Sequence, residues 1–171
     1  MSTPTLLAPG SKLPAITINT LTGGEIALDS AGWKVIVVYR GAHCPMCRAF
    51  LTNLETQKDA FAAEGIEILA ISADQADRAA PHIADIGFTS TVGVGLTVDQ
   101  MRALGVFISS PMNAEEAPAP FAEPALFVIN EQGTVQVVDV SNAPFARPDM
   151  ASILGGIQYV TGHGYPIRGT H

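Results

Sequence analysis

Cysteine is nearly absent from this chain of 171 residues: there are two, Cys44 and Cys47. Two cysteines three positions apart cannot staple distant parts of a fold, which excludes a disulfide framework. In a reducing compartment a C-x-x-C pair points instead to redox catalysis or metal binding. Basic residues are scarce as well. Nine Lys and Arg against sixteen Asp and Glu give a formal net charge of −7, and the basic residues are scattered. That balance argues against a nucleic acid or an anionic membrane surface as partner. No apolar run reaches the ~18 residues needed to span a bilayer. The opening segment, MSTPTLLAPGSKLPAITI, has neither a basic n-region nor a long apolar h-region, so no secretory signal is read and a cytoplasmic location is expected. A second C-x-x-C is also missing, and His43, His82, His163 and His171 stand far apart. A structural zinc wants four ligands; no metal and no other cofactor is expected.

What is present is apolar bulk. Hydrophobic residues make up 47% and charged residues 15%, enough to build a core. The length fits one domain spanning 1–171, with its core at about 10–160 and a C-terminal tail. Residues 13–18 and 24–28 around Gly23–Gly24 read as an N-terminal β-hairpin. KVIVVY at 34–39 and IEILAIS at 66–72 are β-branched runs of the kind buried on both faces of a sheet. Between them, Pro45 to Ala63 carries Cys47, Phe50, Leu51, Leu54 and Phe61 at helical spacing. The unit is βαβ, which implies parallel strands and a right-handed crossover. Helices are expected at about 76–86 (closed by Gly87), at 99–104, and from Pro148 to Val160 with Gly162 past its end. Strands are expected at 125–130 and 134–140, joined by a hairpin turn. VGVGL at 92–96 reads as a turn, and the Pro-rich 111–124 as a long surface loop. His82 and His163 read as surface residues. The whole is an α/β fold with a mixed central sheet flanked by helices.

The chemistry concentrates in Tyr39-Arg40-Gly41-Ala42-His43-Cys44-Pro45-Met46-Cys47-Arg48, at the C-terminal end of a strand, where α/β sheets place their sites. Pro45 suits the first position of a helix, which puts Cys44 at the helix N-terminus. Unpaired N–H groups and the helix dipole there favour a thiolate and lower its pKa. Cys47, one turn later on the same face, can attack an oxidised Cys44 and close a small disulfide. Arg40, His43 and Arg48 are near enough in sequence to assist. Pro124, before the strand at 125, is either a plain loop proline or a cis-proline packed on the two cysteines. The alternatives for the pair itself are inert buried thiols or half of a zinc site.

RGAHCPMCR, IEILAISAD, LTVDQMRALGV, EPALFVINEQGTV and the tail PFARPDMASILGGIQYVTGHGYPIRG together resemble the redoxin family, the alkyl hydroperoxide reductase and thiol-specific antioxidant branch of the thioredoxin superfamily. The similarity covers roughly residues 10–160, and the C-P-M-C motif resembles its peroxiredoxin-like subgroup. The resemblance implies a thioredoxin-like fold and a thiol-dependent oxidoreductase. The family's P-x-x-x-T-x-x-C pattern is not reproduced: in one register Cys44 holds the Thr place and Arg40 the Pro place, in the other Gly41 and Val37 do. The Arg that peroxiredoxins carry before the LFVIN strand is replaced by Pro124, which resembles the cis-proline of thioredoxins. The position of the thioredoxin buried acid is held by Val38.

The expected function is therefore a cycle of Cys44 and Cys47 between dithiol and disulfide, reducing a hydroperoxide or a protein disulfide. Arg40, His43 and Pro124 are the expected substrate-binding residues. Cys44 attacks by the helix argument and by thioredoxin analogy; the peroxiredoxin register would make Cys47 the oxidised residue. A thioredoxin- or glutathione-type thiol would be the reductant, and the resemblance makes a homodimer plausible. The competing expectations are a non-catalytic redox sensor, with the 111–124 loop as its responsive surface, and a metal-binding C-x-x-C protein.

Overall fold

A computed structural model describes residues 5–171. The elements, in chain order, are β1 (Thr17–Thr20), β2 (Glu25–Ala27), β3 (Lys34–Val38), α1 (Pro45–Thr56), α2 (Lys58–Ala63), β4 (Glu67–Ile71), α3 (Ala76–Ile86), β5 (Thr91–Val94), α4 (Val98–Ala103), β6 (Ile108–Ser109), β7 (Phe121–Ala122), β8 (Ala125–Ile129), β9 (Val135–Val140) and α5 (Met150–His163). Seven strands form one sheet in the order β2-β1-β5-β4-β3-β8-β9, and β6 pairs with β7 separately. β3, β4 and β5 run parallel, while β1, β2, β8 and β9 pair antiparallel. The mixed α/β fold and the N-terminal hairpin are as expected.

Strand alternation divides the core in two. Val35 and Val37 face a cluster with Cys47, Leu51 and Leu54 of α1, Phe61 of α2, Ile83 of α3 and Ile157 of α5. Ile36 and Val38 face the opposite way, toward Leu13, Ile16, Leu28, Met101 of α4 and Leu104. A two-residue period with both faces covered explains why β3 is apolar from Val35 to Val38. No helix among the described residues is long and apolar enough to cross a membrane.

Several boundaries differ from the sequence reading. The helix expected over 45–63 breaks at Gln57, whose N–H bonds back to Leu54 and Glu55 in a tightened turn; Phe61 nonetheless packs in the same core as Leu54. The final helix starts after Pro148, because the Asp149 carboxylate caps it by accepting from Ser152 N at 2.8 Å. It runs through Gly162 and ends at Gly164, in the left-handed region at φ 59°. The 111–124 segment is not wholly a surface loop. Phe121 and Ala122 pair with β6 and are buried, and Glu116 turns back toward Arg40. His82 is also buried rather than on the surface, and burial lowers its pKa. His163 is exposed and stacks on Tyr159.

The stretch read as a turn at 92–96 is largely strand β5. Gly93 lies between neighbouring strands where a Cβ would sit 2.8 Å from Ile71 Cγ2 and 3.1 Å from Ile18 Cδ1. The glycine is there for close approach in a packed sheet, not for a turn; the turn comes at Gly95, φ 71°. Gly93→Val should therefore overpack β4 and β5 and lower unfolding free energy by about 1–3 kcal/mol. An unchanged denaturant midpoint would show that the sheet has room at this position.

Candidate active site

β3 ends at Val38, and the chain passes through Tyr39 to His43 before entering α1. Gly41 has φ 132°, and a Cβ there would lie 2.7 Å from Asp74 Oδ2. Asp74, just past β4, is buried; it accepts from Ala42 N at 2.7 Å, and its Oδ1 lies 3.2 Å from Arg78 Nε. A buried carboxylate thus holds the loop from below, and only glycine allows the approach. Asp74 had no local signature in the sequence.

Cys44 is the N-cap of α1, with extended backbone at φ −96°, and Pro45 follows at the helix start. Its Sγ accepts from Cys47 N at 3.2 Å, so a sulfur fills the role usually taken by a Ser or Asp oxygen. Both cysteines are free and buried. Cys44 is lowered to about 6, chiefly by a hydrogen bond from the Cys47 thiol. Burial opposes this, while the Cys47 N–H, the Arg40 side chain and the Arg147 charge add to it. Cys47 is raised, because it holds the proton shared with Cys44 and is itself buried; Arg147 pulls it the other way.

Arg40 approaches Cys44 but is heavily compensated. Its Nη2 lies 3.4 Å from Glu116 Oε1, its Nε 3.2 Å from Glu123 Oε2, and its guanidinium 4.9 Å from the Phe121 ring centre. The Arg40 backbone N–H donates to Cys47 Sγ at 3.4 Å. The His43 ring lies 4.7 Å from Phe121, and both its nitrogens are buried without a partner. Burial and then the Arg40 charge lower its pKa, which keeps it neutral at pH 7. Arg48 does not join the site; it pairs with Asp85 at the surface.

Pro124 is not a cis-proline: no peptide bond among the described residues is cis. Glu123 N donates to Phe107 O at 2.8 Å and Pro124 O accepts from Ser141 N at 2.9 Å, which continues an extended chain into β8. Pro124 lines a small crevice with Val37, Phe50, Ala146, Arg147 and Pro148.

Arg147 was missed altogether. It precedes α5, and its Nη2 donates to Cys47 Sγ at 2.7 Å across 100 residues of sequence. Its Nε donates to Pro144 O at 2.9 Å, and its guanidinium stacks 5.0 Å from the Phe50 ring centre. No group of three or more His, Cys, Asp or Glu positioned to hold a metal occurs among the described residues.

The AhpC/TSA family pattern matches residues 9–138. A protein of Mycobacterium tuberculosis named as a peroxiredoxin is 26% identical over 139 residues, covering 80% of this chain and 87% of that protein. Among solved structures, a peroxiredoxin-like protein from Aquifex aeolicus superposes with a TM-score of 0.76 at 17% identity, over 92% of this chain and 90% of its own. A thiol peroxidase from Chromobacterium violaceum gives 0.73 at 17% identity, over 92% and 90%. These two superpositions carry the thioredoxin-like fold.

A thiolate held by its neighbour has a testable titration. Alkylation of Cys44 should rise with pH through about 6 and level off above it, since only the thiolate reacts. Cys47→Ala removes both the donated proton and its sulfur, and the same profile should move upward by at least about a unit. An unmoved profile would mean that Cys47 does not hold the thiolate.

Proposed function

We propose, for a chain that belongs to the AhpC/TSA family, a thiol peroxidase in which Cys44 is the attacking thiolate and Cys47 the resolving thiol. The observation that carries this reading is the Cys44 sulfur at the N-cap of α1, hydrogen-bonded by Cys47 N. The Cys44 thiolate attacks the nearer oxygen of a hydroperoxide, and the O–O bond breaks. Cys44 becomes a sulfenic acid, and the departing alkoxide takes a proton to leave as alcohol. Cys47 then attacks the Cys44 sulfur; the S–S bond forms and hydroxide leaves as water. A thioredoxin- or glutathione-type thiol returns the disulfide to the dithiol.

Burial favours a hydroperoxide over a protein disulfide. Cys44 is only 1% exposed, and a protein disulfide must reach its sulfur with a chain attached, whereas a small peroxide need only enter beside it. Arg40 and His43 are assigned to the approaching oxygens, Arg40 through its guanidinium N–H groups rather than a net positive charge, since Glu116 and Glu123 compensate it. Pro124 is assigned to the wall of the approach. The whole chain acts as one redoxin domain, in a cytoplasmic setting that supplies the thiol reductant.

Stopped-flow mixing of the reduced protein with one equivalent of hydrogen peroxide, and separately with a protein disulfide such as insulin, tests the substrate. Thiol loss with peroxide should outrun free cysteine by orders of magnitude, with insulin reduced slowly. A peroxide rate equal to that of free cysteine, alongside rapid insulin reduction, would reassign the protein to disulfide exchange.

A further inference from the structure

Cys44 is buried, and the two side chains beside it lie against one and the same stretch of chain, the strap that runs from β6 to β7. His43 adjoins Cys44 in the chain, and the Arg40 side chain approaches its sulfur. The Phe121 ring of the strap packs 4.7 Å from the His43 ring and 4.9 Å from the Arg40 guanidinium. The strap stands apart from the seven-stranded sheet, since β6 and β7 pair as a separate ribbon over two residues each. A two-stranded ribbon that short has little stability of its own. Pro111, Pro118 and Pro120 stiffen its loop, and Met112 to Glu115 at its crest are exposed. What fastens the crest is Glu116. Its Oε1 lies 3.4 Å from Arg40 Nη2, in the loop after β3, and its backbone carbonyl accepts from Arg78 Nη2, on α3. Its Oε2 accepts from Met112 N at 2.6 Å, which folds the crest back onto itself. One residue thus ties the strap to two separate elements of the body. Glu123, at the foot of the strap, is buried and anchored independently: its N–H donates to Phe107 O at 2.8 Å and its Oε1 accepts from Ser109 Oγ at 2.6 Å.

We propose that Glu116 is a specificity-determining residue, which latches the strap over Cys44 and so limits the reaction to small hydroperoxides. The inference rests on the peroxidase reading above and names its substrate class. Beneath the latched strap both His43 ring nitrogens are buried without a partner. Hydrogen-bonding groups therefore stand ready for the oxygens of a molecule small enough to enter. A hydroperoxide with a bulky aryl group, or a polypeptide carrying a disulfide, needs the strap displaced. Displacement breaks the contacts of Glu116 with Arg40 and Arg78 and leaves Glu123 and β8 where they are. It is a local opening, not an unfolding of the domain. Weakening the latch raises the open population, and bulky reagents gain in proportion. A small peroxide, which reaches Cys44 with the strap closed, gains little. Freeing Arg40 from one carboxylate changes the reactivity of Cys44 toward every neutral reagent alike, so the ratio of bulky to small rates isolates the strap.

Reduced wild type, Glu116→Gln and Glu116→Asp are mixed by stopped flow with hydrogen peroxide and, separately, with cumene hydroperoxide. Glu116→Gln keeps an acceptor for Met112 N and loses the charge that faces Arg40. It should raise the ratio of the cumene hydroperoxide rate to the hydrogen peroxide rate roughly tenfold, the scale of one lost charge-assisted contact. Glu116→Asp, with the charge on a shorter arm, should fall between it and wild type. An unchanged ratio in Glu116→Gln would overturn the proposal. A second measurement does not depend on peroxide chemistry. In Cys47→Ser protein the lone Cys44 is alkylated with iodoacetamide and with a pyrene maleimide. Adding Glu116→Gln should raise the ratio of the bulky to the small reagent in the same direction; equal ratios with and without it would overturn the proposal as well. Hydrogen peroxide reacting with wild type no faster than with free cysteine would instead count against the peroxidase reading, with the alkylation ratios still deciding the role of Glu116.

Discussion

The first turn of a helix leaves backbone N–H groups without helical partners, and at the start of α1 the sulfur of Cys44 accepts one of them, that of Cys47. Everything distinctive about the site depends on that bond. It fixes the position of the sulfur, places it in the positive end of the helix field, and brings the Cys47 side chain to the same face. The two thiols are then close enough to titrate as a coupled pair. Neither cysteine alone would be perturbed in this way, because burial by itself raises a thiol pKa. The rest of the fold serves to hold the turn still. β3 delivers the chain, Gly41 permits the tight approach to Asp74, and Asp74 grips Ala42 N.

The charges around the pair come in two kinds. Arg40, Glu116 and Glu123 form a compensated group that packs against Phe121 and keeps most of its charge to itself. Arg78 and Asp74 do the same below the loop. Such groups order a site with modest net field. Arg147 differs in being braced by Phe50 and Pro144 rather than by a carboxylate. The segment from Pro111 to Glu123 and the segment before α5 thus both reach the motif from the C-terminal half of the chain, the first supplying carboxylates to Arg40 and the second a cation to Cys47.

Much of this was legible in the sequence, and the reasons are physical. β3 and β4 declared themselves by β-branched runs, α3 by its terminal Gly87, and the site by cysteines flanking a helix-starting proline. These are local signals with local causes. Gly93 misled because a glycine demanded by a neighbouring strand looks the same as one demanded by a turn. Pro124 was left open between a loop proline and a cis-proline because its setting is made by the Glu123–Phe107 and Ser141–Pro124 hydrogen bonds, whose partners are not near it in sequence. Arg147 and Asp74 were invisible for the same reason: a charge that meets its partner only through the fold leaves no spacing to read. Arg48, the basic residue next to the motif, turned outward because Asp85 of α3 offers a solvated partner there.

The central claim is that Cys44, not Cys47, is the sulfur that meets peroxide. Single-cysteine proteins decide it most directly, by stopped-flow reaction with hydrogen peroxide and mass measurement of the product. The account predicts that Cys47→Ser keeps a fast phase and stops at a sulfenic acid on Cys44, and that Cys44→Ser reacts no faster than free cysteine. A fast phase surviving in Cys44→Ser, with the added oxygen on Cys47, would contradict it.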